Sequence, residues 1–251
     1  MNISLNDWMT FINTMTKLSA TAAERMRKFV RDGGGYANMD HDEVIAYATA
    51  LAQRYGEGAA ELAAEMYDAI AELSGKIIPP AEVAETVSYG EMAKAIQGAA
   101  KFTLDDDYLS NIVGRFVKRA GADTTLKNAI RDGAEFAWIP HGDTCAYCIA
   151  LASRGWQPAS AKAMKGGHAE HIHSNCDCMY AIRFNGSTLY RGYDPEVYRR
   201  QYDNADGSTP DQKINTMRRR YYAQHKEEIN EQKRSAYEKR KELNSSQAEE
   251  S

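Results

Sequence analysis

All four cysteines of this 251-residue chain fall between positions 145 and 178. That clustering constrains the chain more than any other feature. Cys145 and Cys148 form a Cys-x2-Cys pair, and Cys176 and Cys178 form a Cys-x-Cys pair. His168, His171 and His173 stand between the pairs. Where thiols stay reduced, clustered cysteines read as a metal site or as chemistry. A Cys-x2-Cys turn can bring two thiolates to one tetrahedral ion. Cys176 and Cys178 share a face if they begin a strand, because alternate residues point the same way. Cys145, Cys148, His173, Cys176 and Cys178 are therefore five candidates for four ligand positions, and the spacing leaves the choice open. A site rich in thiolate suits zinc, and four protein ligands leave no position for water, which makes the ion structural. A segment of this size with few large apolar groups has a marginal core. A structural zinc contributes on the order of 10 kcal/mol to such folding.

Other uses of the same residues exist. The four thiols could form disulfides or remain unligated. Cys145 could act as a nucleophile with His173 as base, although a nucleophile ordinarily comes with one oriented base rather than three further cysteines. A zinc deaminase carries His-x-Glu ahead of Cys-x2-Cys. Here His168-Ala169-Glu170 comes after it, so the chain order is reversed.

The first 137 residues predict a helical domain without evident chemistry. Leu5, Trp8, Met9, Ile12, Met15 and Leu18 recur at helical spacing within residues 4–31, and three glycines from Gly33 stop that helix. Asp40 is a suitable N-cap for a second helix, with Glu43 three positions on. An alanine-rich stretch over 59–73 continues it. Pro79-Pro80 forces an extended turn. Further helices are expected over 81–100, 104–120 and 124–136. Asp105, Asp106 and Asp107 suit the N-terminus of the second of these.

The character changes at Trp138. Residues 138–193 read as a small α+β domain. It has a strand over 178–184, an Asn185-Gly186 turn and a returning strand over 188–190. Trp138 and Trp156 flank the first cysteine pair and are expected to pack over it. A linking helix over 194–204 leads to a polar loop. Residues 213–243 then read as a protruding or partner-docked helix, followed by a frayed tail. The expected fold is mainly α with a small zinc-stapled α+β domain, divided at 1–137, 138–193 and 194–251.

The chain is 43% hydrophobic, enough for a core, and its net charge of -4 argues against general polyanion binding. No apolar run approaches the roughly 20 residues that span a bilayer, and no secretory signal opens the chain. Locally the balance reverses: residues 211–251 hold ten Lys or Arg against eight Asp or Glu. There Arg218, Arg219, Arg220, Tyr221 and Tyr222 interleave cations with aromatic rings. Such a helix can contact phosphates and stack on bases, although nearby glutamates balance its charge.

Asp143-Thr144-Cys145-x2-Cys148, then Leu151-Ala152-Ser153-Arg154-Gly155-Trp156, then His173-Ser174-Asn175-Cys176-Asp177-Cys178 resembles the C-terminal domain of tailed-phage minor head proteins, the head-morphogenesis proteins of the Mu F-like type. That family joins a Cys-x2-Cys to a downstream His-Pro-Asn-Cys-Arg-Cys. Ser174 replaces its proline and Asp177 its arginine here. The likeness covers about residues 138–184. It implies a structural protein of the virion, made in the host cytoplasm and held inside the head near the portal. Such a protein acts in head assembly, in DNA packaging or delivery, or in both. Its partners would be the portal or major capsid protein, with packaged DNA as a further one. With the readings above, the expected protein has a structural zinc and no membrane, small-molecule substrate or catalysis. Two other classes compete. One is a zinc-dependent hydrolase or deaminase, or a thiol enzyme. The other is a nucleic-acid-binding zinc module that uses the basic, aromatic tail.

Overall fold

A computed structural model describes residues 2–100, 106–141, 144–162, 178–231, 233–235 and 237–238. The chain is mainly helical and carries a small sheet. Three long helices, α1 (Leu5–Asp32), α2 (His41–Leu73) and α4 (Asp106–Asp132), pack against one another, with the shorter α3 (Tyr89–Ala100) beside them. The stripe that holds α1 in place is Trp8, Ile12, Met15, Ser19, Ala22, Met26 and Val30, all buried. Its steps of three and four residues keep every member on one helix face.

Caps set the ends of these helices. The Ser4 side chain accepts a hydrogen bond from the Asp7 N–H. Asp40 accepts from the N–H groups of Asp42 and Glu43. Each cap satisfies donors that have no partner inside the helix. The alanines of α2 let α4 come close, and Gly121 marks the tightest point. A Cβ there would stand 2.7 Å from the Met15 Cε and 3.1 Å from the Ala59 carbonyl oxygen.

Two helix expectations are corrected. Residues 81–88 are not helical, and α3 starts only at Tyr89. The preceding segment lies extended across α2 and α4, strapped down by polar side chains. Asp68 accepts from the Ala81 N–H, Asn128 Oδ1 from the Glu82 N–H, and Thr124 Oγ1 from the Ala84 N–H. Gln53 donates to the Val87 carbonyl and Asn128 to that of Glu82. These partners take up backbone groups that a helix would otherwise pair. The start of α3 follows from a reciprocal pair: the Ser88 hydroxyl accepts from the Glu91 N–H, and the Glu91 carboxylate accepts from the Ser88 N–H.

The second correction concerns the stretch read as two helices, 104–120 and 124–136. It is one helix, α4, as far as Asp132. Thr124 and Thr125 turn their hydroxyls back onto the carbonyls of Ala120 and Gly121, so the helix continues past them. Gly133, at φ +65, ends it. The next residues are a strand. Asp105 lies outside the described residues, while Asp107 accepts from Arg27 at 2.9 Å.

Five short strands follow the same chain order: β1 (Asn2–Ile3), β2 (Glu135–Ile139), β3 (Gln157–Pro158), β4 (Met179–Arg183) and β5 (Leu189–Tyr190). The three-stranded antiparallel sheet runs β3-β2-β4, with Trp138 opposite Tyr180 and Ala137 opposite Ala181. The expected 188–190 strand exists but does not return along β4. It pairs in parallel with β1 as a separate two-stranded sheet, tying the first residues to the segment that follows β4. Asn185 folds the intervening turn onto its own side chain, and the Tyr190 hydroxyl reaches back to the Ile182 carbonyl at 2.7 Å.

The expected boundary at 137/138 falls inside β2. One apolar core runs through both sides of it, joining Ile12, Met26, Tyr67 and Val117 of the helices to Ile139, Met179, Ala181 and Tyr190. Beyond the sheet, α6 (Pro195–Asp203) and α7 (Pro210–Gln224) pack near α5 (Ala146–Ala152). In α7 only Ile214 and Met217 are buried, and they meet Ala146, Ala150 and Ala205. The start of this polar helix is thus docked within the chain. Its regular run breaks at His225 and resumes over 226–231.

Candidate metal centre

The first cysteine pair is built by the start of α5. Cys145 is its N-cap, with extended backbone, and its thiol accepts from the Cys148 N–H at 3.5 Å. Three positions apart on one turn, the two side chains lie on the same side of the helix. Cys178 directly precedes β4, which pairs with β2. Cys148 and Cys178 are both buried and pack in one small cluster with Trp138, Leu151 and Tyr180. Ala122 and Leu126, four apart on α4, complete it, and Cys145 and Tyr147 pack against it. The Trp138 and Tyr180 rings meet edge to face at 4.6 Å.

Electrostatics report the same proximity. Burial raises the Tyr147 phenol above its ordinary range. Arg154 opposes that shift, and the Cys148 and Cys145 sulfurs add to it. Tyr198, on α6, is also raised, first by burial and then by the sulfur of Cys178. Tyr147 thus lies near the first cysteine pair, and Tyr198 of α6 near Cys178.

Of the five candidate ligands, the structure places Cys148 and Cys178 in this cluster and Cys145 against its edge. His173 and Cys176 lie outside the described residues, as do His168, Glu170 and His171. Among the described residues no group of three His, Cys, Asp or Glu is arranged to hold a metal ion, and no disulfide joins the three cysteines to one another. Trp138 packs over the thiols as expected. Trp156 does not: it packs on the main core, near Tyr190 and Tyr193, with the Arg183 guanidinium 4.6 Å from its ring centroid. Sequence reading missed Ala122 and Leu126, whose four-residue spacing on α4 is the one signal that could have found them.

The basic residues of α7 are partly committed. Arg220 donates to the Asn204 carbonyl at 2.9 Å and pairs with Asp206 at 2.8 Å. Arg219 donates to the Asn215 carbonyl. Tyr221 stacks on His225, and Tyr222 lies under the Lys233 ammonium at 5.8 Å. Both tyrosines remain exposed.

Fold and cluster together define a class: a mainly helical protein whose small antiparallel sheet carries buried cysteines at its margin. Within that class, the chain belongs to the family described as VG15 protein, which it matches over residues 2–205. The match takes in the long helices, the sheet and α6, and stops before α7. No curated protein and no solved structure matches the chain. Among the described residues no helix is long and apolar enough to cross a membrane.

Proposed function

We propose that this chain is a minor head protein of a tailed phage, held inside the head near the portal and working through protein contacts without catalysis. Its small sheet region would be stapled by a structural zinc. The observation that carries the reading is the packing of Cys148 and Cys178 in one buried cluster, with Cys145 against it. The resemblance to minor head proteins rests on these same positions. The donor chemistry fits the ion: thiolates are soft ligands, and a thiolate-rich set favours zinc. Cys145, Cys148 and Cys178 would hold it together with Cys176 or His173. Zinc would add cohesion to a cluster that is small beside the main core. The partners would be the portal or major capsid protein, with packaged DNA beyond them.

Two measurements test the two halves separately. Elemental analysis of chelator-free protein should find about one zinc per chain, and Cys145→Ser should lose it. Zinc retained in Cys178→Ser would assign His173 and Cys176 beside the first pair. Well-folded protein without metal overturns the staple. For the location, mass spectrometry of purified virions should find the protein inside DNase-treated heads, and pull-down should recover portal or capsid protein. Virions that lack it overturn the minor-head reading whatever the metal content.

A further inference from the structure

Beside the cysteine cluster, on its sheet side, lies a cleft of about 560 Å³. That volume is within the range of about 300–1,000 Å³ typical of small-molecule sites. Its lining combines three kinds of chemistry. Phe136 and Trp156 are half-buried rings that face it. Arg154 and Lys162 are exposed cations on its wall, and no Asp or Glu is among the described residues that line it. In a chain with a net charge of -4 that is a local reversal of sign. Gln157, on β3, adds an amide that can both donate and accept.

The backbone fixes these groups in place. Arg154 sits in the turn that ends α5, its N–H bonded to the Leu151 carbonyl at 3.0 Å. Gly155 follows at φ +64, a conformation that suits glycine, and swings the chain into β3. Trp156 is held by the Arg183 guanidinium against it, and Arg183 is itself paired with Glu135 at 2.6 Å. The rings are thus preset, while the two cations remain at the surface.

We propose that this cleft binds a nucleotide, its base against Phe136 and Trp156 with Gln157 at the base edge, and its phosphate between Arg154 and Lys162. Every nucleobase has a π-face that stacks on aromatic side chains. Arginine and lysine are the side chains that take up phosphate oxygens. The nucleotide is a bound ligand here, not a substrate, and the proposal stands independently of the minor-head reading. The same chemistry is offered by a free mononucleotide and by one nucleotide of a single strand.

The test is calorimetric titration of the full chain with AMP, adenosine, inorganic phosphate and a single-stranded oligothymidylate. Saturable binding of AMP, tighter than adenosine or phosphate alone, is expected. Arg154→Ala and Lys162→Ala should each weaken it about tenfold, with an unchanged melting temperature because both side chains are exposed. Gln157→Leu should weaken AMP but not phosphate. A single strand that competes with AMP and is lost in the double cation variant identifies the polymer as the source. AMP binding without such competition identifies the free nucleotide. Absence of saturable binding of either probe at millimolar concentration overturns the proposal. So does binding that survives removal of both cations, which would place the contacts elsewhere, such as Arg218 and Arg219 on α7.

Discussion

The helical region and the cysteine-bearing region solve the same problem with different material. Along α1, α2 and α4 the apolar stripe recurs for seven or more turns, and large side chains such as Ile12, Met15, Met26 and Tyr67 are fully enclosed. Around Cys148 and Cys178 the cluster is small, and two of its members are thiols. Long stripes accumulate burial at about 25 cal/mol per Å² of apolar surface, so the helices need no external staple. The small cluster has fewer large side chains, and the proposed zinc would add to what they contribute. The two regions also share structure: α4 lends Ala122 and Leu126 to the cysteines while its other face closes the main core.

The sharpest way to break this comparison is to remove metal. With zinc bound, chelation should strip protection from the amides of α5 and the start of β4 while leaving α1 and α2 protected, as read by hydrogen exchange. The expected loss is on the order of 10 kcal/mol of binding free energy coupled to local folding. Uniform loss of protection would make the shared α4 dominant and the two regions one cooperative unit.

Next in size is a substitution whose sign contradicts helix propensity. Alanine is favoured over glycine by about 1 kcal/mol inside a helix. At Gly121, however, the new Cβ would press on Met15, which is buried, and on the Ala59 carbonyl at 3.1 Å. Gly121→Ala should therefore destabilise by about 1–3 kcal/mol in urea denaturation, because an overfilled contact forces the packed helices apart. A stabilised variant would show that the helical core is looser than its close approach suggests.

Much of the helical half was legible because stripe and cap coincide there. The Trp8–Ile12–Met15 spacing and the Asp40 cap each announce a helix within one short window. The start of α3 was equally local, since Ser88-x-x-Glu91 is a capping box, but the better helix formers around it hid the signal. The strap ahead of it was not local at all. Its partners Asn128 and Thr124 lie some forty positions away, and a side chain that replaces helix hydrogen bonds leaves no pattern in the segment it holds. The pairing of β5 with β1 is hidden for the same reason: two-residue strands carry no alternation to read. In the candidate site, the tight Cys-x2-Cys and Cys-x-Cys spacings drew attention to the thiols, but nothing nearby in sequence pointed to Ala122, Leu126 or Tyr198.

The strap gives the third test. Asn128 is fully buried, accepts from the Glu82 N–H at 2.9 Å, and donates to the carbonyls of Glu82 and Thr124 at 2.8 Å. Asn128→Ala removes all three bonds from a buried site, at a cost of about 1–3 kcal/mol. Limited proteolysis should then cut within residues 81–88 first. Cleavage elsewhere would mean that Pro79-Pro80 and Thr124 hold the segment without it.

The smallest expected effect joins the two regions chemically. The Tyr67 hydroxyl donates to the Asp132 carboxylate at 2.9 Å, at the end of α4 just before β2. Asp132 also receives two hydrogen bonds from Arg131. Arg131 first, then the Tyr67 bond, holds the Asp132 carboxyl below the usual carboxylate range, against the opposing pull of burial. A carboxyl depressed on folding stabilises the protein above its unfolded pKa, about 3.9, and loses that contribution as pH falls through the lower folded value. Tyr67→Phe should cost about 1–2 kcal/mol at neutral pH, the worth of a hydrogen bond to a charged group. The gap between wild type and variant should begin to close as pH drops below about 4, where the unfolded-state carboxyl takes up its proton, and should vanish once the depressed carboxyl of the folded protein is protonated as well. Thermal melts of both proteins from pH 7 to 2 measure it. A gap that persists at pH 2 would show that the Tyr67 hydroxyl serves the protonated carboxyl as well, and the link between helix and sheet would then be a hydrogen bond that does not depend on charge.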